Sequence, residues 1–191
     1  MSAAREAVAR FEATAEVTQR AIEGVGDDHW SLPSTCEGWS VEDLVRHLVE
    51  GNERLAASLH TGSDAVPSGE QERTWAERHR ASTAAVAAGL RQPGVLDRPV
   101  TVPAGTMPGH AVAGLRTVES LVHAWDIATS TRQPLDVPDD VVDYVDGVTR
   151  QLLERVPPDR RPFKEPTTPP SGATPLDRLA ALLGRQVPGT R

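Results

Sequence analysis

Apolar residues recur along most of this chain every three or four positions, which is the spacing of helices that each bury one face. Over residues 3 to 23, Ala4, Val8, Phe11, Ala15 and Ile22, with Thr18 in the same series, predict a first helix ended by Gly24 and Gly26. Ser40, with Asp43 three residues on, resembles a capping box opening a second helix that runs to about Leu59. Its stripe is Val41, Leu44, Val45, Leu48, Asn52, Leu55 and Leu59. Thr61 to Gly69 reads as a Gly/Ser/Pro loop, and a third helix is predicted from Glu70 to Arg91, broken by Gln92-Pro93-Gly94. Arg98 to Val102 is short and β-branched, with a turn at Pro103-Ala-Gly105, and predicts at most one strand of a small hairpin.

A fourth helix spans about Gly109 to Thr131, and a fifth Asp139 to Val156. Pro157 to Pro175 holds seven prolines and reads as an extended surface segment. Leu176 to Gly184 is a short closing helix. The fold class expected is all-α: a four-helix bundle with extra short helices and a small hairpin. Residues 1–156 form the bundle, and 157–191 a Pro-rich segment and closing helix packed on the same domain.

The polar residues inside these stripes carry the chemistry. Glu119 and His123 are one turn apart in the fourth and most apolar helix, in the same sector, roughly 100° wide, as Val112, Leu115 and Val122. A carboxylate and an imidazole in an apolar stripe are costly unless satisfied. A divalent metal is one answer, since both are common ligands of such ions. An i,i+4 hydrogen bond at the surface is the other. A third ligand would come from another helix. Periodicity leaves open which histidine supplies it, but favours His47, at the edge of the second helix's stripe and one turn before Gly51. A glycine there allows close approach of a neighbouring helix.

The 191 residues suffice for one domain with a sizeable core, and a net charge of −7 argues against a nucleic-acid partner. The single Cys excludes a disulfide framework and Cys-based zinc fingers. The apolar runs are too short and too charged to span a membrane. No signal-peptide core follows Met1, so a cytoplasmic protein, monomer or homodimer, is expected.

Two runs carry a family resemblance. Trp30-Ser-Leu-Pro-Ser-Thr-Cys-Glu-Gly-Trp-Ser-Val-Glu-Asp-Leu-Val-Arg-His47-Leu-Val resembles the opening motif of the mycothiol-dependent maleylpyruvate isomerase metal-binding family, a branch of the DinB-like superfamily. Glu119-Ser-Leu-Val-His123-Ala-Trp-Asp126 resembles that family's second metal motif. The closing Leu176-Asp-Arg-Leu-Ala-Ala-Leu-Leu-Gly-Arg185 is similar to the ending of its short, single-domain members. The resemblance implies a DinB-like up-down-down-up bundle holding a divalent metal on His47, Glu119 and His123. Zinc is the default for such a set, with nickel, iron and manganese as alternatives. Many relatives place a His where this chain has Glu119, and Glu there points to the mycothiol-type branch.

Three protein ligands leave a coordination position open, as in catalytic sites. Two imidazoles and one carboxylate leave a divalent ion with net charge +1, enough to favour a bound thiolate. The function implied is therefore a mycothiol-dependent transferase or isomerase, with a small-molecule thiol and an electrophilic substrate as partners. The alternatives are a hydrolase using metal-bound hydroxide and a non-catalytic metal- or small-molecule-binding bundle. Hydrolysis would want a general base, and none is evident on the ligand face. Arg116 could bind a substrate carboxylate or be ion-paired. Asp126 could orient a ligand imidazole or pair with an Arg. Trp39 and Trp125 could line a pocket or belong to the core. Cys36 reads as a packed loop residue. His29, His60, His79 and His110 fall in loops or on polar faces.

Overall fold

A computed structural model describes residues 3–59, 73–103, 105–156, 161 and 163–189, with side chains from residue 6 onward. The helices are α1 (Ala3–Glu23), α2 (Val41–Leu59), α3 (Trp75–Leu90), α4 (Gly109–Thr131), α5 (Asp139–Arg155) and α6 (Pro175–Leu182). Between α3 and α4 a hairpin pairs β1 (Pro99–Val102) antiparallel with β2 (Gly105–Pro108). The all-α expectation holds, and the β-branched run at Arg98 to Val102 does form a hairpin. No helix among the described residues is long and apolar enough to cross a membrane.

Local chemistry sets the helix starts. Ser40 Oγ accepts from the Asp43 backbone N–H at 3.1 Å, while the Asp43 carboxylate accepts from the Ser40 N–H at 3.0 Å. Thr74 and Glu77 form the same reciprocal cap on α3, and Thr174 and Asp177 on α6, where Pro175 fits the first turn. The Thr74 cap corrects the predicted start of α3. Glu70, like the loop Thr61 to Gly69 and His60, lies outside the described residues. At the far end of α4, Arg132 takes the left-handed conformation at φ 56° and closes the last turn.

The four long helices form a ring in which α1 packs on α4 and α3, and α2 on α3 and α4. The core divides into two clusters. One joins the end of α1 (Val17, Ile22), the start of α2 (Leu44, Leu48) and the second half of α4 (Leu121, Ile127) to α5 and α6. The other joins the start of α1 (Phe11), the ends of α2 and α3 (Leu59, Leu90) and the start of α4 (Val112) to the hairpin. Equivalent ends meet only if α1 and α4 run one way and α2 and α3 the other, which is the up-down-down-up arrangement. α4 is the central element, buried on nearly every face. Polar side chains that α4 presents to α2 are therefore held away from bulk water.

Candidate metal centre and its cavity

His47 and His123 meet across the α2–α4 interface. Their ring centroids are 5.4 Å apart and their planes nearly perpendicular, at 83°. Burial, ahead of the neighbouring His123, pushes the pKa of His47 down to about 4, so its imidazole is neutral at ordinary pH. No hydrogen bond to His47 forms among the described residues. On its other side Trp39, 38% exposed, places its ring 5.1 Å away.

His123 is fixed from behind. Its Nδ1 lies 2.9 Å from Oδ2 of Asp126, one turn on. With Asp126 ionised, Nδ1 donates and the lone pair is left on Nε2. Asp126 is fully buried and is also held by Thr35 Oγ1 and by Arg185, which donates from Nη2 at 2.9 Å and from Nε at 3.2 Å. Burial works against the Asp126 carboxylate, but His123 and Arg185 outweigh it and bring its pKa to about 2. Asp126 thus does both things expected of it, orienting an imidazole and pairing with an Arg. The Arg is on the segment just after α6, which sequence spacing did not point to.

Arg116 is buried and ion-paired rather than solvated. It donates to Glu119, to Asn52 Oδ1 at 2.7 Å and to the Leu48 carbonyl at 2.6 Å. Gly51 makes room for it. A Cβ at residue 51 would stand 2.9 Å from Arg116 Nη1. The glycine thus serves a buried guanidinium, where the sequence suggested a close helix approach.

The structure brings His47 and His123 together, while the Glu119 carboxylate is turned toward Arg116. Cys36, His123 and Asp126 form a different group, with donor atoms all within 4.8 Å of one another. That group is already filled. The Arg185 guanidinium sits on Asp126, with Nη2 3.8 Å from Cys36 Sγ. Burial, with the Asp126 charge, pushes the Cys36 thiol up to about 11, so it is protonated. A cation there would displace Arg185 and compete with the proton on His123 Nδ1. The set expected from the sequence, His47, Glu119 and His123, has two imidazoles edge to face, one with its lone pair on Nε2, and a carboxylate that lines the cavity together with His47.

That cavity measures about 700 Å³ and lies between α2, α4 and the hairpin. His47, Arg116 and Glu119 line one part of it, and Leu55, Val102 and Leu115 give it apolar walls. Neither tryptophan is among the lining residues. Trp125 is buried and donates from Nε1 to Asp177 Oδ1 at 2.9 Å, tying α4 to α6. The tail thus meets α4 at Trp125 and Asp126, the second and third residues after His123.

Of two other residues, Cys36 keeps its expected place and His79 departs from the sequence reading. Cys36 is packed, as expected, but beside a carboxylate, 3.7 Å from Asp126 Oδ2. His79, assigned to a polar face, is 1% exposed. Its Nδ1 pairs with Gln19 Oε1 at 2.8 Å, and its Nε2 finds no partner among the described residues.

Residues 10–128 match the family described as Mycothiol maleylpyruvate isomerase N-terminal domain. Two uncharacterized proteins from strains of Mycobacterium tuberculosis are each 31% identical over 169 residues, covering 87% of this chain and 90% of the relative. Among solved structures, a mycothiol-dependent maleylpyruvate isomerase superposes with a TM-score of 0.60 at 16% identity, covering 76% of this chain and 67% of that one. A DinB-like protein from Bacillus subtilis gives 0.54 at 22% identity, covering 70% and 96%. At these identities the structural likenesses speak for the fold.

Proposed function

The chain belongs to the mycothiol maleylpyruvate isomerase N-terminal domain family, and from that premise we propose that it is a thiol-dependent transferase or isomerase whose divalent metal is held by His47, Glu119 and His123. The observation that carries this reading is an edge-to-face pair of imidazoles, His123 locked by Asp126 and His47 on the wall of a partly open, mostly apolar cavity. When bound, a divalent ion would supply the positive charge that favours a thiolate over a thiol at neutral pH. Zinc is the ion the donor set favours.

The chain's own residues supply the rest. Asp126 fixes the His123 tautomer, and Arg116 anchors the Glu119 side chain. Glu119 is the sole carboxylate among the described lining residues. Because it serves as a ligand, no second carboxylate remains in the cavity as a general base for hydrolysis. Thiol chemistry needs no such base once the thiol is ionised. Cys36 is protonated and locked, so the reacting thiol comes from a small molecule. The family's name points to mycothiol.

Metal analysis and cobalt substitution test this together. The expected content of the purified protein is one divalent ion per chain. His47→Ala, Glu119→Ala and His123→Ala each leave it largely metal-free, since one ligand accounts for a large share of the roughly 10 kcal/mol or more of zinc binding. Millimolar mycothiol added to cobalt-loaded protein produces an intense near-ultraviolet sulfur-to-metal band. A stoichiometric metal in His123→Ala overturns the ligand assignment. A missing band with cobalt in place overturns the thiol chemistry.

A further inference from the structure

The cavity changes character from one end to the other. The register of the antiparallel α2 and α4 is fixed by Arg116, which donates to the Leu48 carbonyl and stands where a Cβ on Gly51 would fall. At that level the lining is polar, with Gly51 and Arg116, and His47 and Glu119 lie further toward the start of α2. Toward the hairpin it turns apolar. Leu55 comes from near the end of α2, Val112 from the first turn of α4 and Val102 from the end of β1. Leu55 and Val112 belong to the second core cluster, with Val102 packed against it, whereas Leu48, next to His47 in the chain, belongs to the first. The polar groups at the hairpin end are spent within their own elements. Ser58 donates to the Leu55 carbonyl at 2.8 Å, and Thr101 Oγ1 pairs with Thr106 Oγ1 at 3.0 Å. Arg54 is 55% exposed, and its guanidinium is drawn back toward the start of α2 by Glu50 at 3.4 Å. An apolar hollow with its polar neighbours already satisfied gains by exchanging water for an apolar group.

We infer that the hairpin end of this cavity is an apolar subsite for the body of the substrate, a group the size of a six-membered ring, whose polar head reaches past Gly51 to His47 and Glu119. Substrate polarity then matches the lining at both ends: apolar against Leu55, Val102 and Val112, polar beside Arg116 and Glu119. The length follows from α4. Seven residues separate Val112 from Glu119, about 10 Å at the α-helical rise. A carbonyl head joined to a ring by three methylenes, with single bonds of about 1.5 Å, has about that reach. A cavity of about 700 Å³ is of the size that holds small organic ligands. The inference deepens the proposed function by naming its substrate class, an electrophile with one apolar group. It rests on that reading in one respect: the head beside His47 is the end that would react.

The test uses 5-phenylpentan-2-one and its ringless counterpart pentan-2-one as probes. Each is titrated into the metal-free full-length protein and followed by nuclear magnetic resonance. The phenyl ketone is expected to bind roughly 10- to 100-fold more tightly, the range for burying an apolar side chain of that size. Val102→Asn, at a half-buried hairpin position, lowers its affinity about tenfold by setting a polar group in the apolar wall. Ser58→Phe, which fills the subsite, lowers it at least as much. Neither variant changes pentan-2-one binding, and Arg54→Gln changes neither ketone. Nuclear Overhauser contacts run from the ring protons to the methyls of Leu55, Val102 and Val112, and from the ketone methyl to the His47 ring. Equal affinities for the two ketones, indifference to both Val102→Asn and Ser58→Phe, or ring contacts to His47 in place of those methyls overturns the inference. So does no binding of the phenyl ketone at millimolar concentration. These measurements need no metal and the cobalt band is read separately, so failure of the thiol chemistry and failure of the apolar subsite are separate results.

Discussion

His123 Nδ1 and Asp126 Oδ2 stand 2.9 Å apart on one turn of α4, and the same carboxylate receives Arg185 from the segment after α6. The carboxylate therefore links the candidate metal centre to the end of the bundle's core. It accepts from His123, Arg185 and Thr35 and has no exposed surface. Replacing it by an amide keeps the shape but removes the charge that fixes the histidine tautomer. Asp126→Asn should weaken zinc binding by about 10–100-fold, as loss of a partner behind a metal-bound His typically does. Competition titration with a zinc chelator reads this directly. Unchanged affinity would mean that Asp126 serves the fold alone. Arg185→Met, which removes a partner of Asp126 without touching the imidazole, should show a smaller loss in the same titration.

The long helices, and the placing of Glu119 and His123 on one helix face, were legible because they rest on short-range regularities, whereas His47 was singled out by the family resemblance. The stripe through Val112, Leu115 and Val122 placed Glu119 and His123 on one face of α4, and Gly109 to Thr131 are its observed bounds. What spacing could not supply was contact between distant elements. Arg185 on Asp126 spans 59 residues, and Arg116 on Asn52 spans 64. Neither has a periodic signature. Gly51 is similar, since its partner is a side chain on another helix. His79 was accessible to the same reasoning that succeeded on α4. It falls in register with Ser82, Val86 and Leu90, all buried. Charged neighbours such as Arg78 and Arg80 made that face look polar.

Chelation should loosen the protein without unfolding it. The cluster around Leu44, Leu48, Leu121 and Ile127 packs without help from a metal. A metal bound to the native state alone adds about 2.7 kcal/mol when free metal is 100-fold above Kd. For a chain of this size that is a Tm difference on the order of 5–10 °C. Thermal unfolding followed by circular dichroism with zinc and with a chelator checks this. Loss of helical signal at 25 °C on chelation alone would make the site structural and weaken the case for an open coordination position.

His79 should give the protein a pH dependence separate from the metal. Burial, with Arg116 and Arg80 nearby, lowers its pKa to about 4, below the value of about 6.5 expected in the unfolded chain. Between those values the unfolded state binds more protons. Stability is therefore fully present above pH about 6.5 and is lost as pH falls toward 4. The loss at the lower end is roughly 3 kcal/mol. His79→Gln keeps a donor for Gln19 and removes the titration. Urea unfolding at pH 7 and pH 4.5, in the presence of a chelator, should show a smaller loss for this variant than for the natural protein. Equal losses would show that other groups carry the acid sensitivity.

Cys36 should be a poor nucleophile, which bears on where the reacting thiol comes from. Its sulfur is partly buried at 3.7 Å from the Asp126 carboxylate. Burial first, and then the Asp126 charge, push its pKa up to about 11, with Arg185 pulling the other way. Only the thiolate attacks, and a free cysteine has a pKa of about 8.5. At pH 7.4 the thiolate fraction of Cys36 is then lower by a factor on the order of 10² to 10³. Alkylation by iodoacetamide, followed by intact-protein mass spectrometry, should be slower than for glutathione by at least that factor, since burial also limits access. Asp126→Asn removes the adjacent negative charge, which lowers the Cys36 pKa and should speed alkylation. A rate for the natural protein near that of glutathione would make Cys36 a competent internal nucleophile. The thiol expected from a small molecule could then be the protein's own, and the cavity beside His47 would have to be read as holding the electrophile alone.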